Sequence, residues 1–519
     1  MRLRQTVSGH SLSYNYGEIV PITSPIPADR QGARRHYGVH PYFTRRPYNV
    51  VREYILHYSR EGDSVLDPFG GSGVTAIEGF LENRTGIQND INPLANFITE
   101  SIVGLHKGTL AEYKQALDCV EARSREALHK IQDADEKTLA KLRDKVQLPP
   151  DIPLPANSDV SNFRELFSER QIISLAALKQ AISRVPSKPG RAAMLLAWSA
   201  CLPKLSKTFL SAEGRAESRG GSSIFSIYRY KIAKKPIELS PWETFEERAR
   251  NVIAAKVEID KHIEIKRKTG GWHGHFECWS RDVQELADEL AGSVDYVFTD
   301  PPYGAHISYL DLSTLWNGWL GRLPASEARN RELIVGGDLG FSEDTYITRL
   351  GDAIRACFKM LRRNRWFSVV FQHWNVTYFE AILTSAADAG GELRAAVSQV
   401  GDPIWSMHKK KSNESVLAGE LILTFFNSGR RTVPNRLNGF DVAEAVGEVL
   451  DSAESGQIYG EYLFNRIVMA AWQHGAIGSL NISKTEFIDL IQRNGWLYDE
   501  KGHRWVRERQ PASLFHING

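Results

Sequence analysis

A short stretch near the N-terminal end constrains the fold of this 519-residue chain more than any other feature. Residues 63–66 predict a strand, residues 67–73 (DPFGGSG) a glycine-rich turn, residues 74–83 a helix and residues 85–88 a second strand, which Asp90 follows. Glycine lets the backbone of such a turn close tightly against a ligand, and an acid after the second strand can bind both hydroxyl groups of a ribose. This order predicts a Rossmann-like, doubly wound α/β sheet with a nucleotide site.

The composition of the turn indicates which nucleotide it binds. Ile77 stands near the position of the third glycine of the GxGxxG pattern, which counts against a pyrophosphate cofactor such as NAD. A nucleoside without phosphates is favoured, namely S-adenosylmethionine, whose amino-acid tail can lie over the first half of the turn. The residues expected to bind it are Asp67, Phe69, Gly71, Gly73 and Asp90.

A second motif, TDPPYG at residues 299–304, follows an apolar run at residues 294–298 that predicts a buried strand. The strand must stop at Pro301, because proline has no N–H for the ladder. A carboxylate oxygen of the preceding acid and the Pro301 carbonyl can both accept hydrogen bonds from one exocyclic amino group, while the tyrosine can stack on a flat ring. The candidate catalytic residues are Asp300, Pro301, Pro302 and Tyr303.

Together, the two motifs resemble those of the DNA amino-methyltransferases, the enzymes that make N6-methyladenine or N4-methylcytosine. Residues 45–47 (RRP), 86–95 (GIQNDINPLA) and 303–320 (YGAHISYLDLSTLWNGWL) are similar to sequences of adenine-specific DNA methylases within this group. The resemblance implies S-adenosylmethionine as methyl donor and places Asp282 near the adenine of that cofactor. It further implies transfer to the N6 amino group of an adenine that is flipped out of duplex DNA.

Three other functions remain open. Cytosine N4 methylation uses the same chemistry, although Ser-Pro-Pro is commoner there than Asp-Pro-Pro. RNA methylases that modify the N2 of guanine share both motifs, often after an RNA-binding domain, whereas only about 45 residues precede the catalytic domain here. A non-catalytic DNA-binding subunit is less favoured because the acids and glycines of both motifs are intact. C5-methylation of cytosine is not expected, because no cysteine follows a proline.

The positions of the motifs divide the chain into five expected segments. These are an N-terminal arm (1–45), the cofactor half of the methyltransferase domain (46–104), a helical target-recognition insertion (105–270), the catalytic half (271–432) and a C-terminal accessory domain (433–519). Long helical patterns predict the insertion. Three helical patterns followed by a hairpin favour a small helical or winged-helix-like domain at the C-terminal end.

Two basic segments are candidates for binding DNA phosphates. The net charge of the whole chain is only +2, so a nucleic-acid surface must be local. Residues 204–235 combine basic side chains with a glycine- and serine-rich run and aromatic rings, and residues 409–411 form a second basic loop. The candidates are Arg215, Arg219, Arg229, Lys231, Lys234, Lys235, Lys409, Lys410 and Lys411. A solvated loop is the alternative for each segment.

Composition limits the cellular setting. Hydrophobic content of 42% and charged content of 24% are typical of a soluble globular protein, and no apolar run approaches the roughly 20 residues of a membrane helix. The four cysteines stand far apart, which argues against disulfides and zinc sites and favours a reducing compartment. We therefore expect a cytoplasmic enzyme that needs no metal and takes duplex DNA as its partner. A partner subunit or a nuclease of a restriction-modification or defence system is left open.

Overall fold

The computed structural model describes residues 14–29, 34–210, 221–305, 307–399, 420–431, 440–453, 457–458, 460–480, 482–501 and 504–507. The chain forms two compact units. The described residues of the first fall within Asp29–Glu289 and Gly304–Tyr346, and those of the second within Ser13–Ala28, Leu290–Tyr303 and Ile347–Gly519. No helix in the described ranges has both the length and the apolar character that crossing a membrane requires.

A central sheet of seven strands organises the chain. The strands are β1 (Ser64–Asp67), β2 (Thr85–Asn89), β3 (His275–Trp279), β4 (Val294–Thr299), β5 (Leu361–Phe371), β6 (Gly391–Gln399) and β7 (Glu420–Asn427). Their order is β3-β2-β1-β4-β5-β7-β6. β2 is parallel to β1 and β3, and β4 to β5, whereas β7 is antiparallel to β5 and β6. The predicted mixed α/β fold with a mostly parallel sheet is therefore confirmed.

The first unit contains the strands of the glycine-rich turn. Its first helices are α1 (Tyr48–Tyr58), α2 (Val74–Leu81) and α3 (Pro93–Gly104). Val65 and Leu66 of β1 are fully buried, as expected for a parallel strand with both faces covered. Asn92 caps α3 by accepting the Leu94 N–H at 3.2 Å, and Pro93 occupies the first turn, where its missing N–H costs nothing. Strand, turn, helix and strand thus follow the predicted order.

A helical region stands between β2 and β3. Its helices are α4 (Leu110–Gln132), α5 (Glu136–Arg143), α6 (Glu169–Ser183), α7 (Lys188–Ser199) and α8 (Pro241–Thr269), with one further turn at Ser223–Ser226. Thr109 and Glu112 form a capping box at the start of α4. The helical pattern over residues 110–146 breaks near Asp133, as its sequence indicates: α4 ends at Gln132, and the Asp135 side chain accepts the Thr138 N–H and begins α5.

Buried charge ties α8 to the start of the sheet. Glu82, which follows α2, has a fully buried side chain that pairs with Arg52 at 2.7 Å, with His262 at 3.4 Å and with Lys266. Burial alone would raise the pKa of Glu82, but hydrogen bonds from His262, Lys266 and Arg52 outweigh it and hold the pKa well below its usual range. Glu82 is therefore ionised at neutral pH, and α8 is anchored through it.

Four further short helices of the first unit lie at Val283–Glu289 (α9), Tyr309–Leu312 (α10), Thr314–Leu320 (α11) and Ser326–Arg329. Residues 308–320 are rich in aromatic rings, and they form two of these helices, α10 and α11. The break falls at Ser313, whose hydroxyl accepts a hydrogen bond from the buried Asn92 side chain at 2.8 Å. This side-chain bond holds the junction between the two helices.

The second unit contains the strand of the second motif. All six residues of β4 are buried, as predicted for residues 294–298. The neighbouring helices are α12 (Glu343–Met360) and α13 (Val376–Asp388). Polar groups inside this part of the sheet are paired: the Ser368 hydroxyl bonds with those of Tyr296 and Thr424, each at 3.0 Å. The buried Trp366 indole donates to the Tyr16 carbonyl at 2.8 Å.

The C-terminal part of the second unit has three helices and a small sheet. These are α14 (Val442–Asp451), α15 (Gly460–Gln473) and α16 (Lys484–Arg493), with β8 (Gln457–Ile458), β9 (Trp496–Asp499) and β10 (Arg504–Arg507). The strand order is β8-β10-β9, and both pairs are antiparallel. Trp374, after β5, stacks on Phe464 at 4.2 Å and meets Phe487 edge-on at 5.6 Å. Aromatic packing therefore docks this part on the sheet. That this part is a winged-helix-like domain stays a prediction.

Candidate functional site

The carboxylate before the glycine-rich turn holds the turn together. Asp67 is buried at the end of β1, where Oδ1 accepts the Phe69 N–H at 3.1 Å and Oδ2 accepts the Thr75 hydroxyl at 3.0 Å. The Gly73 N–H closes the turn on the Gly70 carbonyl at 2.8 Å. Asp67 therefore fixes the shape of the turn. Direct contact of Asp67 and Phe69 with a cofactor stays a prediction.

Gly73 is a position where only glycine fits. Its φ is +85°, in the left-handed region, and an added Cβ would lie 2.3 Å from the Thr99 side chain. Because α2 begins at the next residue, this glycine sets the approach of the turn to the helix. A side chain here would push the turn away from α3, which carries Thr99.

Asp90 is joined to the same turn. Its Oδ2 accepts the Gly71 N–H at 2.9 Å and its Oδ1 accepts the Asn92 N–H at 2.8 Å. Desolvation raises the pKa of Asp90 to about 6, against the lowering effect of these two hydrogen bonds. A carboxyl group that ionises near neutral pH beside glycine amides is suited to accept hydrogen bonds from two neighbouring hydroxyl groups.

The end of β3 brings Asp282 to the same region. Asn89 and Arg281 bond each other reciprocally, from Asn89 Nδ2 to the Arg281 carbonyl and from the Arg281 N–H to Asn89 Oδ1, both at 3.1 Å. The backbone N–H of Asp90 donates to the Trp279 carbonyl at 3.4 Å. Asp282 follows directly, so the acids after β2 and β3 stand at the same end of two adjacent parallel strands. The predicted cofactor residues of the first unit are therefore carried by neighbouring elements.

Two residues of the predicted basic arm lie against the glycine-rich turn, and our sequence analysis did not identify them as site residues. The Tyr42 ring packs over Gly71: a Cβ atom added to this glycine would lie only 3.2 Å from the ring. Arg45 donates from Nε to the Ser72 hydroxyl at 3.0 Å and from a terminal nitrogen to the His40 carbonyl at 2.7 Å. Desolvation lowers the pKa of Arg45 to about 10. The available signal was the RRP segment, which lies in a stretch without periodicity.

The second motif stands after β4 in the second unit. The Tyr303 hydroxyl donates to Asp300 Oδ1, and the Tyr303 ring meets Phe371 edge-on with 5.1 Å between centroids. Pro301 is buried, whereas Pro302 and Tyr303 are half-buried. Tyr303 and Asp300 are therefore joined to each other within the loop. The catalytic roles of the four residues stay predictions.

The basic segment of the insertion has a buried part and an exposed part. Tyr230 is 1% exposed and its hydroxyl donates to the Leu312 carbonyl at 2.7 Å, so this ring belongs to the core. Lys231 pairs with Asp159 at 2.5 Å. The described candidates that are exposed are Arg229, Lys234 and Lys235. Arg215, Arg219, Lys409, Lys410 and Lys411 lie outside the described residues.

Aromatic rings connect the basic segment to the arm that covers the turn. Phe43 lies 5.5 Å from Phe225, 5.6 Å from Tyr309 and 6.1 Å from Trp316, measured between ring centroids. Tyr42 stacks on Tyr309 at 6.3 Å. The basic segment, α10 and the glycine-rich turn are therefore parts of one packed region of the first unit.

A metal site would need several histidine, cysteine or acidic side chains close together in the described part of the chain. No group of three or more histidine, cysteine, aspartate or glutamate side chains there is arranged to hold a metal ion. The four cysteines are free thiols, and Cys201 and Cys357 are buried.

Two similarities to known proteins bear on this site. Residues 17–98 match the N6/N4 methyltransferase family model, described as DNA methylase. A 65-residue stretch is 40% identical to the orphan methyltransferase M.BamHII of Bacillus amyloliquefaciens and covers 12% of this chain and 24% of that protein. The chain thus matches about a quarter of the length of this relative. Both similarities support the DNA amino-methyltransferase family that the two motifs indicated.

Proposed function

We propose that this chain is an S-adenosylmethionine-dependent DNA methyltransferase that modifies the exocyclic N6 of adenine. One observation carries the proposal. The same chain has a glycine-rich turn bonded to the acid after β2, within the DNA methylase match, and an Asp-Pro-Pro-Tyr loop after β4. The first arrangement suits a nucleoside, and the second suits an amino group on a planar ring.

The residues around the turn fit the cofactor. Asp90 offers carboxylate oxygens to ribose hydroxyls, and burial raises its pKa although the Gly71 and Asn92 amides donate to it. Arg45 has no ion pair with a carboxylate among the described residues, and its lowered pKa reflects desolvation without such compensation. Arg45 beside Ser72 therefore suits the carboxylate of an amino-acid tail.

The role of the protein's own residues in this reaction is to orient the target amino group and the base. When bound, S-adenosylmethionine supplies a methyl group on a positively charged sulfur. Asp300 and the Pro301 carbonyl would accept hydrogen bonds from the target amino group and direct its lone pair for in-line attack, while Tyr303 would stack on the base. The amino nitrogen gains the methyl group and loses a proton, which the Asp300 carboxylate would accept.

Cytosine N4 is the second candidate acceptor, because the family match covers both amino groups. The acid in Asp-Pro-Pro favours adenine. RNA guanine N2 and a non-catalytic DNA-binding role are further alternatives. The setting we propose is the cytoplasm, with duplex DNA as substrate and no resident metal. A nuclease or partner subunit of a restriction-modification system is a proposal that rests on the family resemblance alone.

Sequencing of native DNA for modified bases tests the function directly. Cells that express the wild-type chain should carry N6-methyladenine at a defined sequence, and cells that lack it or express Asp300→Ala should not. If the modified base at that sequence is N4-methylcytosine, the target of the enzyme is cytosine and not adenine. Methylated guanine in RNA, with unmodified DNA, would support the RNA alternative. No modification in DNA or RNA would contradict the enzymatic proposal.

Cofactor affinity should depend on pH through Asp90. The pKa of this carboxyl group is raised to about 6, and the ionised form is the one that accepts two hydroxyl hydrogen bonds. The affinity for the cofactor is therefore highest when the pH is well above the pKa of Asp90. It falls as the pH drops through this pKa, and at pH 5 it is lower by roughly tenfold. Calorimetry from pH 5 to 8 checks this. Asp90→Asn should bind more weakly at pH 8 with a flatter profile, and a wild-type profile as flat as that of the variant would refute the role.

A further inference from the structure

The segment at residues 329–335, here termed the strap, reaches from the region of α10 to Asp282. Arg331 places one terminal nitrogen 3.1 Å from Asp282 Oδ1 and 3.1 Å from Glu285 Oε1. Asp282 is 12% exposed and Arg331 is 48% exposed, so the guanidinium covers the carboxylate from the solvent side. The strap is thus in contact with the acid that the resemblance places near the cofactor adenine.

Contacts on both sides of Arg331 fix the strap in place. Arg329 pairs with Asp311 at 3.0 Å, and the buried Glu332 accepts the Leu310 N–H at 3.2 Å. Leu333 and Ile334 are buried. The Val335 N–H donates to the Gly304 carbonyl at 3.2 Å. Arg331 is therefore held by an ordered backbone, which lowers the entropy cost of keeping its side chain on Asp282.

The hydrogen bonds to Asp282 leave one carboxylate oxygen for a ligand. The Gln284 N–H donates to Oδ1 at 3.0 Å, and the Arg331 guanidinium donates to the same atom. Within the described residues, Oδ2 has no hydrogen-bond donor. A carboxylate fixed through one oxygen presents the other in a defined direction, which suits one N–H donor of an adenine amino group.

We propose that Arg331 is a positioning residue for the cofactor: it holds Asp282 so that Oδ2 selects the amino group of the adenine ring. This inference rests on the proposed function. Hypoxanthine has a carbonyl oxygen where adenine has the amino group, so an oriented carboxylate should reject it. A site built to accept a hydrogen bond discriminates strongly against a ligand that lacks the donor.

The test compares two ligands on the full chain by calorimetry: S-adenosylhomocysteine and S-inosylhomocysteine, in which a carbonyl oxygen replaces the exocyclic amino group and the adjacent N1 carries a proton. Wild type should prefer the adenine compound, and Arg331→Ala should reduce the ratio of the two dissociation constants by about fivefold. Arg331→Lys should restore part of the ratio, since an ammonium group can still pair with the carboxylate. If Arg331 had only a structural role, Arg331→Ala would weaken the binding of both ligands equally and leave the ratio of the two dissociation constants unchanged.

Arg143→Ala is the matched control, because Arg143 has a similar exposure to Arg331 but lies outside the strap and pairs with Glu169 instead of Asp282. It should leave the ratio as in wild type. An unchanged or increased ratio in Arg331→Ala, with Asp282→Asn reducing it, would overturn the positioning role while the proposed function stands. Failure of wild type to bind S-adenosylhomocysteine would overturn the proposed function, and the inference with it.

Discussion

Replacing Asp300 by alanine should lower methyl transfer at least about 100-fold, because the target amino group loses the acceptor that orients it. The dissociation constant for S-adenosylmethionine should stay within about tenfold, or roughly 1.4 kcal/mol. The reason is that Asp67 and Asp90 hold the glycine-rich turn expected to bind the cofactor. Single-turnover methylation assays and calorimetry measure the two effects separately.

Asp300→Asn and Tyr303→Phe are the matched controls for this prediction. Asparagine keeps one carbonyl acceptor, so Asp300→Asn should be more active than Asp300→Ala. Tyr303→Phe keeps the ring and removes the hydroxyl that bonds Asp300, so it should retain most of the activity if stacking is what the ring contributes. Near-wild-type turnover in Asp300→Ala would refute the assigned role of this carboxylate.

Replacing Arg229, Lys234 and Lys235 together by alanine should weaken DNA binding and flatten its dependence on salt. Each lost phosphate contact lowers the salt slope by about one, so the three together should lower it by about three. These side chains are exposed, whereas Lys231 of the same segment is paired with Asp159. Binding to a labelled duplex over a range of salt concentrations gives both the affinity and the slope.

Lys231→Ala serves as the matched control, since this lysine is already engaged by Asp159 and should contribute little to the slope. Affinity for S-adenosylmethionine should be unchanged in the triple variant, because none of the three residues bonds the glycine-rich turn. A triple variant that keeps both its DNA affinity and its salt slope would make this segment a solvated loop. The second basic loop, residues 409–411, would then be the better candidate.

Periodic segments could be predicted from the sequence because burial repeats along them. The strand at residues 294–298 and the strand at His275–Trp279 were expected where they occur, since apolar or alternating runs between turn-forming residues leave few other structures. The glycine-rich turn and Asp90 were recognisable for the same reason: their order along the chain is set by the strand, turn and helix that carry them. The local sequence determines the structure at each of these residues.

Residues placed by tertiary contacts could not be predicted. Tyr42 and Arg45 lie in a segment without periodicity, and only the folded chain brings them to Gly71 and Ser72. Tyr230 stands among basic residues and looked like a surface ring, yet its hydroxyl bonds a buried backbone carbonyl. The ion pair of Arg331 with Asp282 joins residues 49 apart in sequence. Such contacts depend on which surfaces meet in the folded chain, and a short sequence pattern does not predict this.

The insertion between β2 and β3 has a consequence for the order of folding. Asn89 and Arg281 bond each other although 192 residues separate them. Closing a loop of about that length costs roughly 2–3 kcal/mol more than closing one of about ten residues. The helices of the insertion reduce this cost if they form first, because α8 is anchored at Glu82 and delivers β3 to its partner. The edge strand β3, and Asp282 with it, should therefore be the last part of the first unit's share of the sheet to fold.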